Sequence, residues 1–216
     1  MYAMEKSNYV NLSPMGIERD SMEIISRELS HLNIPEQYAS IVKRVIHTTA
    51  DFEYAHLFEA HPQAVEMAKN ALQQSCRIYA DTSMVVAGVS KPSLKKLGCE
   101  LHCFVHDEEV VAEAKAQGIT RSICGINKAA QDERFRLFVI GNAPTALVRL
   151  CELYAEGLIK PDLVIGVPVG FVGAAESKQM LKESGLPYLL IRGRKGGSTV
   201  GVAMLNALLY ELIKRN

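Results

Sequence analysis

Apolar and polar positions alternate in two different ways along the 216-residue chain. Before about residue 76 the apolar residues recur three and four positions apart, as in the stretch 38–49, which is the spacing of an amphipathic helix. Pro14, Pro35 and Pro62 lie near the start of these stretches, where proline is tolerated because its missing N–H has no intrahelical partner. The pattern predicts a helical N-terminal layer.

From about residue 76 onward, short apolar runs typical of buried strands alternate with longer helical patterns. The predicted strands are 77–80, 101–105, 137–140, 163–167 and 188–191. The predicted helices 107–117, 144–156 and 174–184 are each followed by a glycine that ends them. We therefore predict a single α/β domain over residues 1–216, with a mostly parallel sheet of about five strands, helices on both faces and the helical layer at its N-terminal end.

Polar and glycine-rich segments follow the carboxyl ends of these strands, where the ligand crevice of an open α/β sheet lies. Thr82 and Ser83 follow the first predicted strand, Asn142 and Thr145 follow the third, and segment 192–198 follows the fifth. Ten of the 15 glycines lie between residues 141 and 201. Glycine permits positive φ angles and close approach of the backbone, so we expect these loops to fit around a bulky ligand.

Composition narrows the classes of partner. The chain has 24 Lys+Arg and 24 Asp+Glu, and this balance argues against binding to nucleic acid or to an anionic membrane by bulk charge. No uncharged run reaches the about 20 residues of a transmembrane helix, and the first ten residues lack the apolar core of a signal peptide. Five cysteines is an odd count that fits reduced thiols. We expect a cytoplasmic protein that binds neither nucleic acid nor membrane.

The densest local charge is in segment 192–198, where Arg192, Arg194 and Lys195 lie within four residues and Ser198 opens a predicted helix. One interpretation is an anion-binding loop, because the free N–H groups at a helix N-terminus favour a negative ligand. The other is a solvated basic turn. The position of the loop at a strand end favours the anion site.

Two further cations have paired interpretations. Arg121 lies at an element boundary, where its guanidinium suits a bidentate clamp on a carboxylate, or it is an ordinary surface arginine. Lys178 is a ligand-binding cation, or it pairs with Glu176 or Glu152. The residue pattern leaves both choices open.

His47 is the candidate for proton transfer, because histidine titrates near neutral pH. It lies in a predicted helix, and Asp51 follows one turn later, where a carboxylate would orient the imidazole. The alternative is a hydrogen-bonded core histidine.

The segment 99–106 also holds cysteines and histidines, but alternate positions of a strand face opposite sides. We therefore expect core cysteines there and no metal site.

The chain resembles the precorrin-8X methylmutases, isomerases of cobalamin biosynthesis, over nearly its whole length. Several unusual strings match in the correct order: RVIHTTADFEY (44–54), DTSMVVAG (81–88), TRS (120–122), IGNAPTAL (140–147), VIGVPVGFVGAAESK (164–178), GRKGGS (193–198) and NALL (206–209). Segment 48–54 and the Arg194-Lys195 pair look closer to the cobalt-dependent branch of the family, which favours cobalt-precorrin-8 as the substrate.

The resemblance implies the migration of a methyl group from ring carbon 11 to ring carbon 12 of a corrinoid, giving cobyrinate or hydrogenobyrinate. It implies that His47 is the proton donor and acceptor and that Ser21 contacts the substrate. It also implies a homodimer with its sites near the subunit interface. No cofactor is expected, since the reaction is an isomerisation and any cobalt belongs to the substrate.

A corrinoid carries a rim of carboxylates, which suggests a task for the polar strand-end residues. The expected cations are Arg121, Lys178, Arg192, Arg194 and Lys195, and the expected neutral contacts are Thr82, Ser83, Asn142, Thr145 and Ser198. Two other functions remain open, a corrinoid carrier without enzymatic activity and a different α/β isomerase with an anionic substrate. A carrier has no need of His47, whereas an isomerase has.

Overall fold

All five predicted strands are present, and a sixth lies at one edge of the sheet. In the computed structural model, which describes residues 14–213, the strands are β1 (Phe58–Ala60), β2 (Arg77–Ala80), β3 (Glu100–His102), β4 (Phe135–Ile140), β5 (Leu163–Gly166) and β6 (Tyr188–Ile191). Their order is β1-β6-β5-β4-β2-β3. Only the β1–β6 pair is antiparallel within this described sheet. The predicted class, an α/β fold with a mostly parallel sheet, is confirmed.

Helices connect the strands and cover both faces of the sheet. Those of the described residues are α1 (Pro14–Glu28), α2 (Glu36–Thr49), α3 (Tyr54–Leu57), α4 (Ala64–Gln73), α5 (Ser83–Gly88), α6 (Lys91–Leu97), α7 (Glu108–Gln117), α8 (Arg121–Ala129), α9 (Pro144–Ala155), α10 (Ala174–Glu183) and α11 (Ser198–Leu212). Gly118, Gly157 and Gly185 follow α7, α9 and α10 with φ angles of 66°, 72° and 82°. These left-handed residues end the helices as predicted.

Successive side chains of the central strands enter two separate cores. Leu137 and Val139 of β4 face the core formed with α2, α4, α5, α6 and α11, whereas Phe138 and Ile140 face the core formed with α8, α9 and α10. Both faces of these parallel strands are therefore buried, which explains why each strand reads as a continuous apolar run.

The helix α11 is the centre of the first core. It packs against α2, α4, α5 and the sheet, and a helix with neighbours on most sides is apolar nearly all round. The helix α1 packs against α2, so the predicted N-terminal layer is present. Within residues 14–213, no helix combines the length and the apolar character needed to cross a membrane.

Two strand boundaries differ from the prediction. Strand β1 was not predicted, because its three half-buried residues follow the one-turn helix α3 directly and are too few to show a period. The predicted strand 101–105 is shorter, since β3 lies at the other edge of the sheet and pairs with β2 only through residues 100–102. Chain segment 103–105 therefore leaves the sheet and is free to border a cavity.

The segment 99–106 places its cysteines and histidines apart. Cys99 is buried and its Sγ donates to the carbonyl of Leu72 at 3.2 Å, while Cys103 is half-buried. His102 contacts Glu100 at 3.1 Å on the other side of the strand. Within the described chain, no three His, Cys, Asp or Glu side chains come together as a metal site would require.

We expect Leu205→Ala to lower the free energy of unfolding by about 2–5 kcal/mol, because the side chain is buried in the core around α11 and leaves a cavity when removed. Leu205 is fully buried, whereas Leu158 is 60% exposed. The matched change Leu158→Ala should therefore alter stability by less than about 0.5 kcal/mol. Urea unfolding of the two variants measures both values, and equal effects would contradict the packing described here.

Candidate functional site

The direction in which strands are added reverses between β2 and β4. Strand β3 lies on one side of β2, while β4, β5 and β6 follow on the other. The loops after the two central strands part at such a point and leave a crevice. A cavity of about 610 Å³, which we call the strand-end cavity, lies there. It is lined by Asp81, Thr82, Ser83, Val105, His106, Ile119, Thr120, Arg121, Ser122 and Asn142.

Asp81 holds the two central strand ends together. Its carboxylate is 2% exposed and accepts the backbone N–H groups of Gly141 (2.8 Å), Asn142 (2.8 Å) and Ala143 (2.7 Å). Burial raises the pKa of this carboxyl, and the three N–H donors oppose that rise. Sequence reasoning did not assign Asp81 a role, although an aspartate directly after a buried strand is a recognisable signal of a loop anchor.

Thr82 and Ser198 meet at the neighbouring wall. Their hydroxyl oxygens are 2.9 Å apart, which joins the start of α5 to the start of α11. Thr82 also caps α5 by accepting the N–H of Val85. Gly141 is required beside them, because a Cβ atom at that position would lie 2.7 Å from the Cα of Ser198. The two predicted hydroxyls are thus brought together, bonded to each other.

Arg121, Ser83 and Asn142 line the same cavity, and Thr145 is joined to its wall through Thr120. Arg121 begins α8 and is exposed, with Nη1 donating to the carbonyl of Val105 at 3.2 Å. Thr145 is exposed, and its hydroxyl lies 3.1 Å from that of Thr120. Ser83 is exposed at the first turn of α5. This arrangement offers one guanidinium and several hydroxyls to an anionic ligand.

His47 lines a second cavity, of about 270 Å³, which we call the His47 cavity. It lies between α2, α5 and α11, and its lining residues are Arg44, His47, Thr48, Met84, Gly88, Thr199, Val202, Ala203, Asn206 and Tyr210. His47 is exposed and forms no hydrogen bond with any described residue. It is therefore not a hydrogen-bonded core histidine, and its imidazole is accessible to a ligand.

The two cavities are neighbours. Helix α5 contributes Ser83 to the strand-end cavity and Met84 to the His47 cavity. At the start of α11, Ser198 bonds to Thr82 of the first cavity, and Thr199 lines the second. A single large ligand that lies over the start of α5 would reach both.

Arg44 is a residue of the His47 cavity that sequence reasoning missed. Its guanidinium pairs with Glu18 of α1 at 2.7 Å and lies 5.2 Å from the centre of the Tyr210 ring. Its position one turn before His47 is the signal that was available.

Ser21 lies on α1 and lines neither cavity. Its hydroxyl donates to the carbonyl of Ile17 at 2.8 Å.

Asp51 does not reach back to His47. The helix α2 ends two residues before it, and Ala50 reverses the chain with a φ angle of 53°. The Asp51 carboxylate accepts hydrogen bonds from Lys195 Nζ and from the N–H of Glu53, at 2.9 Å for the latter. Lys195 chiefly holds the pKa of Asp51 below its usual value. The predicted His47–Asp51 contact is wrong because it assumed that the helix continues.

Lys178 lies buried beneath segment 192–198, which we call the basic loop. Lys178 is only 1% exposed, and its Nζ donates a hydrogen bond to the carbonyl oxygen of Lys195 at 2.8 Å. It forms no ion pair within residues 14–213, and Glu152 pairs with Arg149 instead, so the alternative of a pairing with Glu176 or Glu152 is wrong. Burial lowers the pKa of Lys178 to about 8.

The three cations of the basic loop itself differ in their surroundings. Arg194 is exposed, with its guanidinium 5.6 Å from the centre of the Phe171 ring, and Arg192 lies 3.9 Å from a carboxylate oxygen of Glu59. Lys195 is matched by two carboxylates, which raise its pKa. The loop is therefore not a uniformly solvated basic turn, because Lys195 is paired within the protein while Arg194 faces solvent.

Comparisons with known proteins place this fold in a recognised group. The family model for precorrin-8X methylmutase matches residues 16–211. The chain is 45% identical over 205 residues to the cobalt-precorrin-8 methylmutase of Salmonella typhimurium, covering 92% of this chain and 96% of that protein. It is 37% identical over 207 residues to the precorrin-8X methylmutase of a Sinorhizobium species, covering 95% and 98%. The crystal structure of precorrin-8X methylmutase from Thermus thermophilus superposes with a TM-score of 0.85 at 37% identity, covering 90% of this chain and 94% of that one.

The buried lysine leads to a pH-dependent prediction. Between about pH 8 and pH 10.5 the unfolded chain keeps the Lys178 proton that the folded chain has lost, so the wild-type stability rises with pH in this window. Relative to Lys178→Met, the gain should approach about 1.4 kcal/mol per pH unit. Urea unfolding of both proteins at several pH values measures it, and a constant difference would show that the lysine is not desolvated.

Proposed function

The chain belongs to the precorrin-8X methylmutase family, and we propose that it moves a methyl group from ring carbon 11 to ring carbon 12 of cobalt-precorrin-8, with His47 as the acid and base. Methylmutases are isomerases, so the chain is an enzyme of that class in cobalamin biosynthesis. The observation that carries the proposal is the exposed imidazole of His47 in a cavity next to the polar crevice of the sheet.

The proposed step gains and loses no atoms. His47 donates a proton to a ring nitrogen or an adjacent carbon of the macrocycle, which draws conjugated electrons toward that position. The methyl group then moves with its bonding pair, so the bond to carbon 11 breaks as the bond to carbon 12 forms. His47 takes the proton back when conjugation is restored. No oxidant or reductant enters this balance, and we therefore propose no cofactor, with cobalt as part of the substrate.

The two neighbouring cavities suit different parts of such a substrate. A corrinoid with its acid side chains is larger than the about 270 Å³ of the His47 cavity, so only one edge of the ring would enter there. The apolar groups of Met84, Val202 and Ala203 line that cavity and would pack against the macrocycle while limiting the access of water.

The rim carboxylates would lie over the strand-end cavity. Arg121 is the exposed cation there, and the proposed neutral contacts are Thr82, Ser83, Asn142, Thr145 and Ser198. Arg194, exposed on the neighbouring loop, supplies a second positive charge. Backbone N–H groups of the glycine-rich loops add donors that a side chain at those positions would block.

Ser21 is a predicted contact on α1 that lines neither cavity. It is flanked on α1 by Ile17 and Ile24, which are 48% and 46% exposed, and this apolar stripe is what a subunit interface would cover. We propose a homodimer in which α1 lies near the interface, so that Ser21 approaches the substrate only in the assembled protein.

The cobalt form is proposed as the substrate because the relative named for it is the more similar of the two compared. The identity is 45% to the Salmonella typhimurium protein and 37% to the Sinorhizobium protein. The function is tested by incubating the purified protein with cobalt-precorrin-8 and following its absorption spectrum. A chromophore that changes with time supports the isomerase, whereas a static shift on binding supports the corrinoid carrier instead.

We expect His47→Ala to lower turnover by about 100- to 10,000-fold, the range that general acid–base catalysis supplies, while the corrinoid still binds. His31→Ala is the matched control, because His31 is exposed and lines neither cavity. Turnover is measured by the same spectral change and binding by titration with the product. A variant that turns over at the wild-type rate would remove His47 from its proposed role.

We expect Arg121→Ala to weaken corrinoid binding more strongly in low salt than in high salt, because salt screens the attraction between the exposed guanidinium and a substrate carboxylate. Arg134→Ala removes an arginine that pairs with Asp132 away from both cavities, and it should leave binding unchanged. Spectral titrations at two ionic strengths give the comparison. A dissociation constant that is the same for wild type and Arg121→Ala at both strengths would exclude the contact.

A further inference from the structure

Lys195 is engaged in an ion-pair cluster beside the end of α2. Its Nζ pairs with the carboxylate of Asp51 and, at 2.7 Å, with that of Glu53. The same ammonium lies 5.6 Å from the centre of the Tyr54 ring. Two carboxylates match the charge of Lys195 before any ligand arrives, which distinguishes it from the exposed Arg194 next to it.

The cluster joins two of the three chain segments that form the His47 cavity, α2 and α11. Asp51 and Glu53 lie four and six residues after His47. Lys195 lies three residues before α11, whose first turn contributes Thr199 to the same cavity. The contact therefore sets how the end of α2 lies relative to the start of α11.

The segment that Lys195 holds needs external support. Ala50 has φ and ψ angles of 53° and 29°, a left-handed conformation that residues other than glycine adopt infrequently. Without the ammonium, the two carboxylates that follow would repel each other. The cluster thus opposes the tendency of this turn to open.

The loop end of the contact is itself held in place. The buried ammonium of Lys178 donates to the carbonyl of Lys195 at 2.8 Å. Gly196 packs so closely on the end of β5 that a Cβ there would lie 2.2 Å from the carbonyl oxygen of Val167. The main chain at Lys195 is therefore held in place, and its side chain can hold the segment that follows α2.

We propose that Lys195 is a positioning residue for His47, holding the end of α2 against the start of α11, and that it does not bind the carboxylates of the substrate. This inference rests on the proposed acid–base role of His47. It assigns Lys195 a different task from the substrate contact expected from the sequence.

The test compares kcat for cobalt-precorrin-8 with the dissociation constant of the product, cobyrinate. Lys195→Met keeps the length of the side chain and removes its charge, and we expect kcat to fall about 100-fold, the effect of misplacing a catalytic group by about 1 Å. Binding should stay within about twofold, and Lys195→Arg should restore most of kcat because a guanidinium also pairs with carboxylates. Salt-sensitive weakening of cobyrinate binding in Lys195→Met, or an unchanged kcat, would overturn the inference.

A charge exchange separates positioning from substrate binding. Lys195→Asp combined with Asp51→Lys reverses the pair without abolishing it, and we expect most of the activity lost in Lys195→Asp alone to return. A lysine needed for a substrate carboxylate would not be replaced in this way, so an absence of recovery would count against positioning. Lys160→Met removes an exposed lysine at the opposite end of the sheet and controls for net charge.

A second route tests the same contact from its acidic side and leaves Lys195 unchanged. Asp51→Asn with Glu53→Gln leaves Lys195 in place and releases it from both partners. Positioning predicts a fall in kcat similar to that of Lys195→Met, whereas a substrate contact predicts equal or tighter binding and no loss. Thermal melting by circular dichroism confirms that each variant is folded. If the wild-type protein itself does not change the chromophore, the proposed function fails, and that result is distinct from every outcome above.

Discussion

The burial of both faces of the parallel sheet is the constraint on which the other features depend. Helices cover the central strands on each side, so the residues along these strands are mostly apolar. The polar side chains of the strand-end cavity therefore come from the segments beyond the strands, whereas His47 and Arg44 lie on α2. Asp81 satisfies three backbone N–H groups in that region with one buried carboxylate, so the loops keep their shape and leave their remaining donors available to a ligand.

Positive and negative charges balance within local clusters of this protein as well as over the whole chain. The net charge of zero does not describe a uniform surface, because the basic loop contains cations with different surroundings. Lys195 is paired with two carboxylates, Lys178 is desolvated beneath the loop, and Arg194 faces solvent. A basic segment in a sequence therefore supplies fewer free charges to a ligand than its composition suggests, and the paired ones are available to hold structure in place.

Much of the fold could be predicted, because the spacing of apolar residues and the positions of glycines are local properties of the sequence. These properties predict strands β2 to β6 and the ends of helices α7, α9 and α10 at glycines. The three-residue strand β1 was not accessible, since it is defined by its partner β6 and not by its own residues. The site was accessible in part. His47 was identified as a candidate, but its expected partner Asp51 was misplaced because one residue, Ala50, adopts a left-handed conformation that sequence spacing does not reveal.

The sequence by itself determined the α/β class, the strand ends as the place of the ligand crevice, the family and the candidate histidine. The fold class, the strand ends and the histidine depend on residues that are near one another in the chain. The family depends on short sequence motifs that match those of known methylmutases. Only the tertiary structure decided which cations are free, that Arg44 shares a cavity with His47, and that Lys195 meets Asp51 across 144 positions of the chain. These outcomes depend on which surfaces the packing of α2 and α11 brings together, and such long-range contacts leave no periodic trace in a single sequence.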